Sequence, residues 1–127
     1  MAERAWEPAG SSGLDIPYSP AAVADGTVWV SGCISTDESG AIVADDFASQ
    51  ARRVFDGMRR TLEAAGCAMA DVVHVTTYLT DRADFDAFND AFRAAFSTPY
   101  PSRATVLADL IVPELKIEAT CVAVQPR

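Results

Sequence analysis

Positive charge is scarce in this chain. Ten Lys and Arg stand against 18 Asp and Glu, a net charge of −8, and there is one histidine in 127 residues. A surface of that sign repels phosphate backbones and anionic membranes, so neither nucleic acid nor membrane is expected as a partner. The lone histidine, His74, has no Cys or His beside it and cannot build a zinc site by itself. No G-x-S-x-G elbow accompanies it, which removes the usual setting for Ser-His-Asp catalysis, and it reads as a partly exposed strand histidine. The three cysteines, Cys33, Cys67 and Cys121, form neither an even framework nor a C-x-x-C pair. That pattern suits a reducing compartment and small buried side chains. No residue set has metal-ligand spacing. No apolar run approaches the roughly 18 residues of a membrane span. Met1 to Pro8 lacks the apolar h-region of a secretory signal, so a cytoplasmic address is expected.

Half of the residues are hydrophobic and 22% are charged, the balance of one ordinary globular domain over residues 1–127, with 1–15 as an arm and connector. A short strand is expected from Arg4 to Trp6, and Gly10 to Gly13 reads as a flexible linker without the Lys-Ser/Thr tail of a phosphate loop. Ala21 to Ala24 and Thr27 to Ser31, separated by Asp25-Gly26, form an antiparallel hairpin. A further short strand is expected at Ala41 to Val43. Asp45 or Asp46 caps a helix running to about Ala65, with Ala51, Val54, Phe55, Met58, Leu62 and Ala65 on one face, and Gly66 closes it. The opposite face, with Arg52, Arg53, Asp56, Arg59, Arg60 and Glu63, is a solvated one. Val72 to Leu79 is almost wholly β-forming and belongs in the middle of a sheet. A second helix starts at Asp81 or Ala83 and lines up Phe85, Phe88, Phe92 and Phe96 as core. Leu115 to Val124 is the last strand, with Lys116, Glu118 and Thr120 on one side of it. The order β-β-β-α-β-α-β-β predicts an α+β fold, a sheet with two helices packed on one face. The uncovered face is a reason to expect oligomerisation, with ligand clefts between subunits.

The stretch richest in chemistry is Thr98 to Val106. Pro99 and Pro101 stiffen the approach to Arg103, and the aliphatic run Ala104 to Ile111 predicts a strand entering the core with Arg103 at its rim. A guanidinium there presents a planar fork suited to a carboxylate, either that of a ligand or that of a structural Asp or Glu.

Pro17-Tyr18-Ser19, Val30-Ser31-Gly32, Gln50-Ala51-Arg52, Glu63 to Gly66, Asp84-Phe85 with Asn89, Tyr100 to Val106, and Lys116 to Ala119 occur in an order and spacing that resemble the Rid, or YjgF-type, family of enamine/imine deaminases. The resemblance covers Ile16 to Val124. It implies a chorismate-mutase-like fold with a mixed or antiparallel sheet, a homotrimer, and sites in the clefts between subunits. In deaminating relatives the residue matching Arg103 grips the substrate carboxylate and the one matching Glu118 handles the attacking water. Residues matching Tyr18, Ser31, Gly32 and Asn89 line the pocket. Cys33 stands where many relatives have glutamine, and Thr105 where some have cysteine, so these two bear on the range of substrates bound. The implied reaction, hydrolysis of 2-imino or 2-enamino acids such as 2-iminopropionate and 2-aminoacrylate, needs an anchor, a positioned water and proton management, and no metal or organic cofactor. Three other readings stand beside it: a non-catalytic module that binds small carboxylates, a pathway-specific deaminase or hydrolase, and a ribonuclease, for which the charge balance is poorly suited.

Overall fold

Asp25 and Gly26 adopt φ of 49° and 78°, the left-handed pair that a two-residue hairpin turn demands. In the computed structural model, which describes residues 3–4 and 16–127, this turn joins β2 (Ala21–Ala24) to β3 (Thr27–Cys33). Around that hairpin a six-stranded sheet forms with β1 (Glu3–Arg4), β4 (Val72–Leu79), β5 (Ser102–Leu107) and β6 (Ile117–Val124). The spatial order is β1-β2-β3-β6-β4-β5. Every pairing is antiparallel except β4 with β5, which is parallel. Helices α1 (Phe47–Ala64) and α2 (Phe85–Ala95) complete an α+β architecture, with both helices on one face of a mixed sheet.

Two local devices set α1. The Asp46 side chain accepts the Ser49 amide at 3.1 Å, capping the N-terminus, and Gly66 turns left-handed at φ 81° just past the C-terminus. Its apolar stripe, Ala51, Val54, Phe55, Met58 and Leu62, is fully or nearly fully buried against Val28, Val30, Val75, Leu79, Ile117, Ala119, Cys121 and Ala123 of the sheet. Phe55 is the hub between the helices, its ring 5.7 to 6.5 Å from those of Phe88, Phe92 and Phe96. Gln50, also fully buried, donates to the Asp45 carbonyl at 2.8 Å and accepts the Lys116 amide at 2.9 Å. One side chain thus satisfies two buried backbone groups and pins the start of α1 to the lead into β6, two residues before Glu118.

Several expectations need correction. Ala41 to Val43 is not a strand: Ile42 makes one isolated bridge to Thr36, while Asp37 accepts from the Ser39 amide and hydroxyl and the Ala41 amide. The aspartate's turn takes up hydrogen bonds that a strand would have paired. The strand at Arg103 does not run into the core. It spans Ser102–Leu107, lies at the sheet edge and is exposed at every position but Thr105. Leu115 is buried but precedes the last strand, which begins at Ile117. A 3₁₀ turn at Arg82–Asp84, capped by Asp81, precedes α2, and Phe85 at its first position is 43% exposed, outside the core that holds the other three phenylalanines. The first strand is Glu3–Arg4; Trp6 and the linker at Gly10 to Gly13 lie outside the described residues.

Candidate active site

Alternation along each strand divides the candidate residues between the two faces of the sheet. Arg103 on β5 is in register with Val75 on β4, a core residue, so its side chain lies on the helix-covered face. There the guanidinium carbon sits 5.9, 5.1 and 5.0 Å from the ring centroids of Phe85, Phe88 and Phe92. Nη2 donates to Asn89 Oδ1 at 2.6 Å. Among the described residues no carboxylate pairs with Arg103, so none of them is the structural acid that would occupy its fork. Beside it a cleft of about 240 Å³ is lined by Asn89, Phe92, Arg93, Tyr100, Pro101 and Arg103. Thr105, two residues on and half-buried, shares this face and is in register with Thr77.

Glu118 on β6 is in register with Tyr78, on the face that no helix covers. Burial raises its carboxyl above the ordinary glutamate value. Its position depends on Gly32, because a Cβ at that glycine would overlap the Glu118 carboxylate. Next to Gly32, the Ser31 hydroxyl donates to the Ser19 carbonyl at 2.6 Å and the Ser31 amide to the Pro20 carbonyl at 2.8 Å. These two bonds tie the segment carrying Tyr18, itself 46% exposed, to the end of β3. Thr120 donates to the Val30 carbonyl across the register shift in β3, so β3 and β6 hold together where their ladder is interrupted.

The structure therefore sets Ser31, Gly32 and Glu118 in one group, with the segment that carries Tyr18 tied to the same end of β3, and Asn89, Arg103 and Thr105 in another. It does not bring the two groups together within one chain. β4 separates β5 from β6, so Glu118 is not on the strand adjoining Arg103. Two strand spacings and a three-residue offset put their backbones roughly 14 Å apart, with side chains on opposite faces. Cys33 belongs to neither group, being packed against the hydrophobic core with its thiol donating to the Ser31 carbonyl at 3.5 Å. Burial, reinforced by the Glu118 carboxylate and opposed by Arg60, pushes that thiol up to about 12, so it is not a nucleophile near neutral pH.

His74 forms no triad with its hydrogen-bonding neighbours. Nδ1 is 2.7 Å from the Ser102 hydroxyl and Nε2 is 3.2 Å from that of Thr76. Ser102 donates to the Val73 carbonyl at 3.0 Å, so its oxygen accepts from the imidazole and its proton is committed to backbone. Phe85, Arg93 and Tyr100 were not legible as site residues. Helical spacing marks the phenylalanines as one core stripe, although Phe85 belongs to the Asp84-Phe85 match, opens α2 and is half-exposed.

A family model described as Endoribonuclease L-PSP matches residues 13–125. Among solved structures, RidA from the Antarctic bacterium Psychrobacter sp. is 30% identical, covering 96% of this chain and 99% of its own, with a TM-score of 0.89. A member of the YjgF/YER057c/UK114 family from Mycobacterium tuberculosis is 28% identical over 92% of this chain and 98% of its own, at a TM-score of 0.79. A Rhodopseudomonas palustris protein described as a probable translation initiation inhibitor is 25% identical over the whole of both chains, at 0.88.

Proposed function

The chain belongs to the endoribonuclease L-PSP family, that of the YjgF-type or Rid proteins, and from that premise we propose that it hydrolyses 2-imino acids and their enamine tautomers to 2-keto acids and ammonia. The observation that carries this reading is the Arg103 guanidinium, oriented by Asn89 and three rings and paired with no carboxylate among the described residues. It is an anchor prepared for a ligand's carboxylate. Next to such a carboxylate lies the electrophilic C=N carbon of an imino acid. Glu118, ionised, takes a proton from the attacking water. Returned to the imine nitrogen, that proton gives a neutral carbinolamine, which collapses as its C–N bond breaks: the hydroxyl proton passes through Glu118 to the nitrogen, ammonia leaves, and the hydroxyl oxygen becomes that of the ketone.

Because one chain places Arg103 and Glu118 on opposite faces of its sheet, a site using both is completed by a second copy. We propose the homotrimer as the assembly that does so, one subunit giving the Arg103 group and its neighbour the Glu118 group. Light scattering should give three times the chain mass.

The direct test is ammonia release from freshly generated 2-iminopropionate. Arg103→Lys keeps the charge and loses the fork, and should lower kcat/KM about 10- to 100-fold, with Arg103→Ala lower still. Wild-type and Lys-variant rates that coincide would overturn the anchor. One observation favours a second reading, a carboxylate-binding module without chemistry: the cleft beside Arg103 contains no part of the Glu118 group. Carboxylate binding with no imine turnover would select it.

A further inference from the structure

We infer that Phe85 is a positioning residue, an aromatic platform that holds the plane of the Arg103 guanidinium and so sets the direction from which a carboxylate is received. The inference rests on the reading of Arg103 as a carboxylate anchor. Phe85 is 43% exposed, while Phe88 and Phe92, three and seven residues on, are 0% and 4% exposed. A large apolar side chain half in water contributes little to the core, yet its ring lies 6.4 Å from that of Phe88 and 5.9 Å from the guanidinium carbon of Arg103. The three phenylalanines form a continuous aromatic wall, and Phe85 is its solvent-side end.

An arginine on an exposed edge strand would otherwise sample many rotamers, and that freedom is lost each time a ligand binds. Ring faces are suited to prevent it. They attract the cation through their quadrupole but carry no acceptor, so they orient the guanidinium without consuming the donors that a carboxylate needs. Among the described residues one donor is consumed, Nη2, and its acceptor Asn89 comes from the turn of α2 next to Phe85. The platform and the amide thus share one short helix. Together they restrict both the plane and the rotation of the fork.

The experiment compares Phe85→Leu, Phe85→Tyr and Phe85→Trp for binding of 2-oxobutanoate, a stable keto acid, and for imine turnover. The Leu variant, which keeps bulk and removes the ring, should weaken 2-oxobutanoate binding and raise KM about 3- to 30-fold. Its kcat should stay within about two-fold, the split expected when the anchor and not the chemistry is loosened. Tyr and Trp should restore affinity, which a merely space-filling role would not require of them. In the ligand-free protein the Arg103 Nε–H resonance should be ring-current shifted, and Phe85→Leu should reduce that shift. Unchanged affinity in the Leu variant, equal impairment in all three variants, or an unshifted Arg103 resonance in wild type would overturn the inference. Ring-dependent keto-acid binding with no imine turnover would retain the platform and reject the deaminase reading.

Discussion

The two halves of the candidate site are built on opposite principles. Around Arg103 the protein supplies contacts: three rings and the Asn89 amide touch the guanidinium, and exposed Pro99 and half-buried Pro101 stiffen the strand's approach. Around Glu118 it supplies room, since Gly32 withholds a side chain and the carboxyl is perturbed chiefly by loss of water. An anchor works by being held still. A base works by being unsatisfied, because a carboxylate already hydrogen-bonded by the protein would be a weaker acceptor for a substrate water.

Separating the halves experimentally gives the largest expected effect. Glu118→Gln keeps shape and deletes the base, so kcat should fall about 10²- to 10⁴-fold while keto-acid affinity changes little. Because Arg103 and Glu118 point from opposite faces, sites formed between copies should be rescued by mixing two impaired proteins. Co-refolding Arg103→Ala with Glu118→Gln in equal amounts leaves about a quarter of the sites with both groups intact, and activity should recover to about that fraction. No recovery would place both groups in one subunit and break the two-face description.

Gly32→Ala tests the claim that the acid side is built from space. The added methyl overlaps the Glu118 carboxylate and should displace it by about an ångström, enough to lower kcat by up to about 10²-fold. Carboxylate affinity on the Arg103 side should persist, so 2-oxobutanoate titration separates local displacement from loss of fold.

How much of this was legible follows the range of the interactions. Asp25-Gly26, the α1 stripe and the β-forming run at Val72 to Leu79 are local patterns, and they appear where expected. The placement of β6 between β3 and β4 is a long-range pairing that no local pattern encodes. Nothing local therefore shows that β4 stands between Glu118 and Arg103. The same limit explains β5: Ala104 to Leu107 has the composition of an interior strand, but its exposure comes from having a partner on one side only. Phe85 fails for a related reason. Helical spacing identifies a stripe but not the point at which the neighbouring helix ceases to cover it.

A smaller effect is set by pH, and its sign follows from burial. Glu118 binds its proton more tightly in the folded protein than an ordinary glutamate does. Between the ordinary value and the raised one the folded state therefore holds more protons than the unfolded state, and stability falls as pH rises through that window. Below the ordinary value that contribution is fully present. Activity runs the other way, because the base must be ionised: kcat/KM should climb about tenfold per pH unit up to the raised value and then level off. Glu118→Gln should flatten this part of the melting-temperature profile and remove the acid limb from any residual rate. A rate limb that survives in the Gln variant would assign the titration to another group.

The smallest effect concerns the strand that separates the halves. Thr77 on β4 is fully buried, in register with Thr105 on one side and Ala119 on the other, and its hydroxyl has no hydrogen-bond partner among the described residues. An unsatisfied buried hydroxyl costs about 1 to 3 kcal/mol, so Thr77→Val, which has nearly the same shape, should stabilise the protein by about 1 kcal/mol. Thermal unfolding would detect it as a rise of a few degrees. If β4 acts only as a wall between two independent half-sites, KM and kcat should not move with it. A gain in stability joined to a loss of keto-acid binding would mean that the Thr77 hydroxyl is held unsatisfied for the ligand's benefit, through Thr105 on the Arg103 face. The anchor side would then also depend on a group kept unsatisfied, and contacts against room would no longer distinguish the two halves.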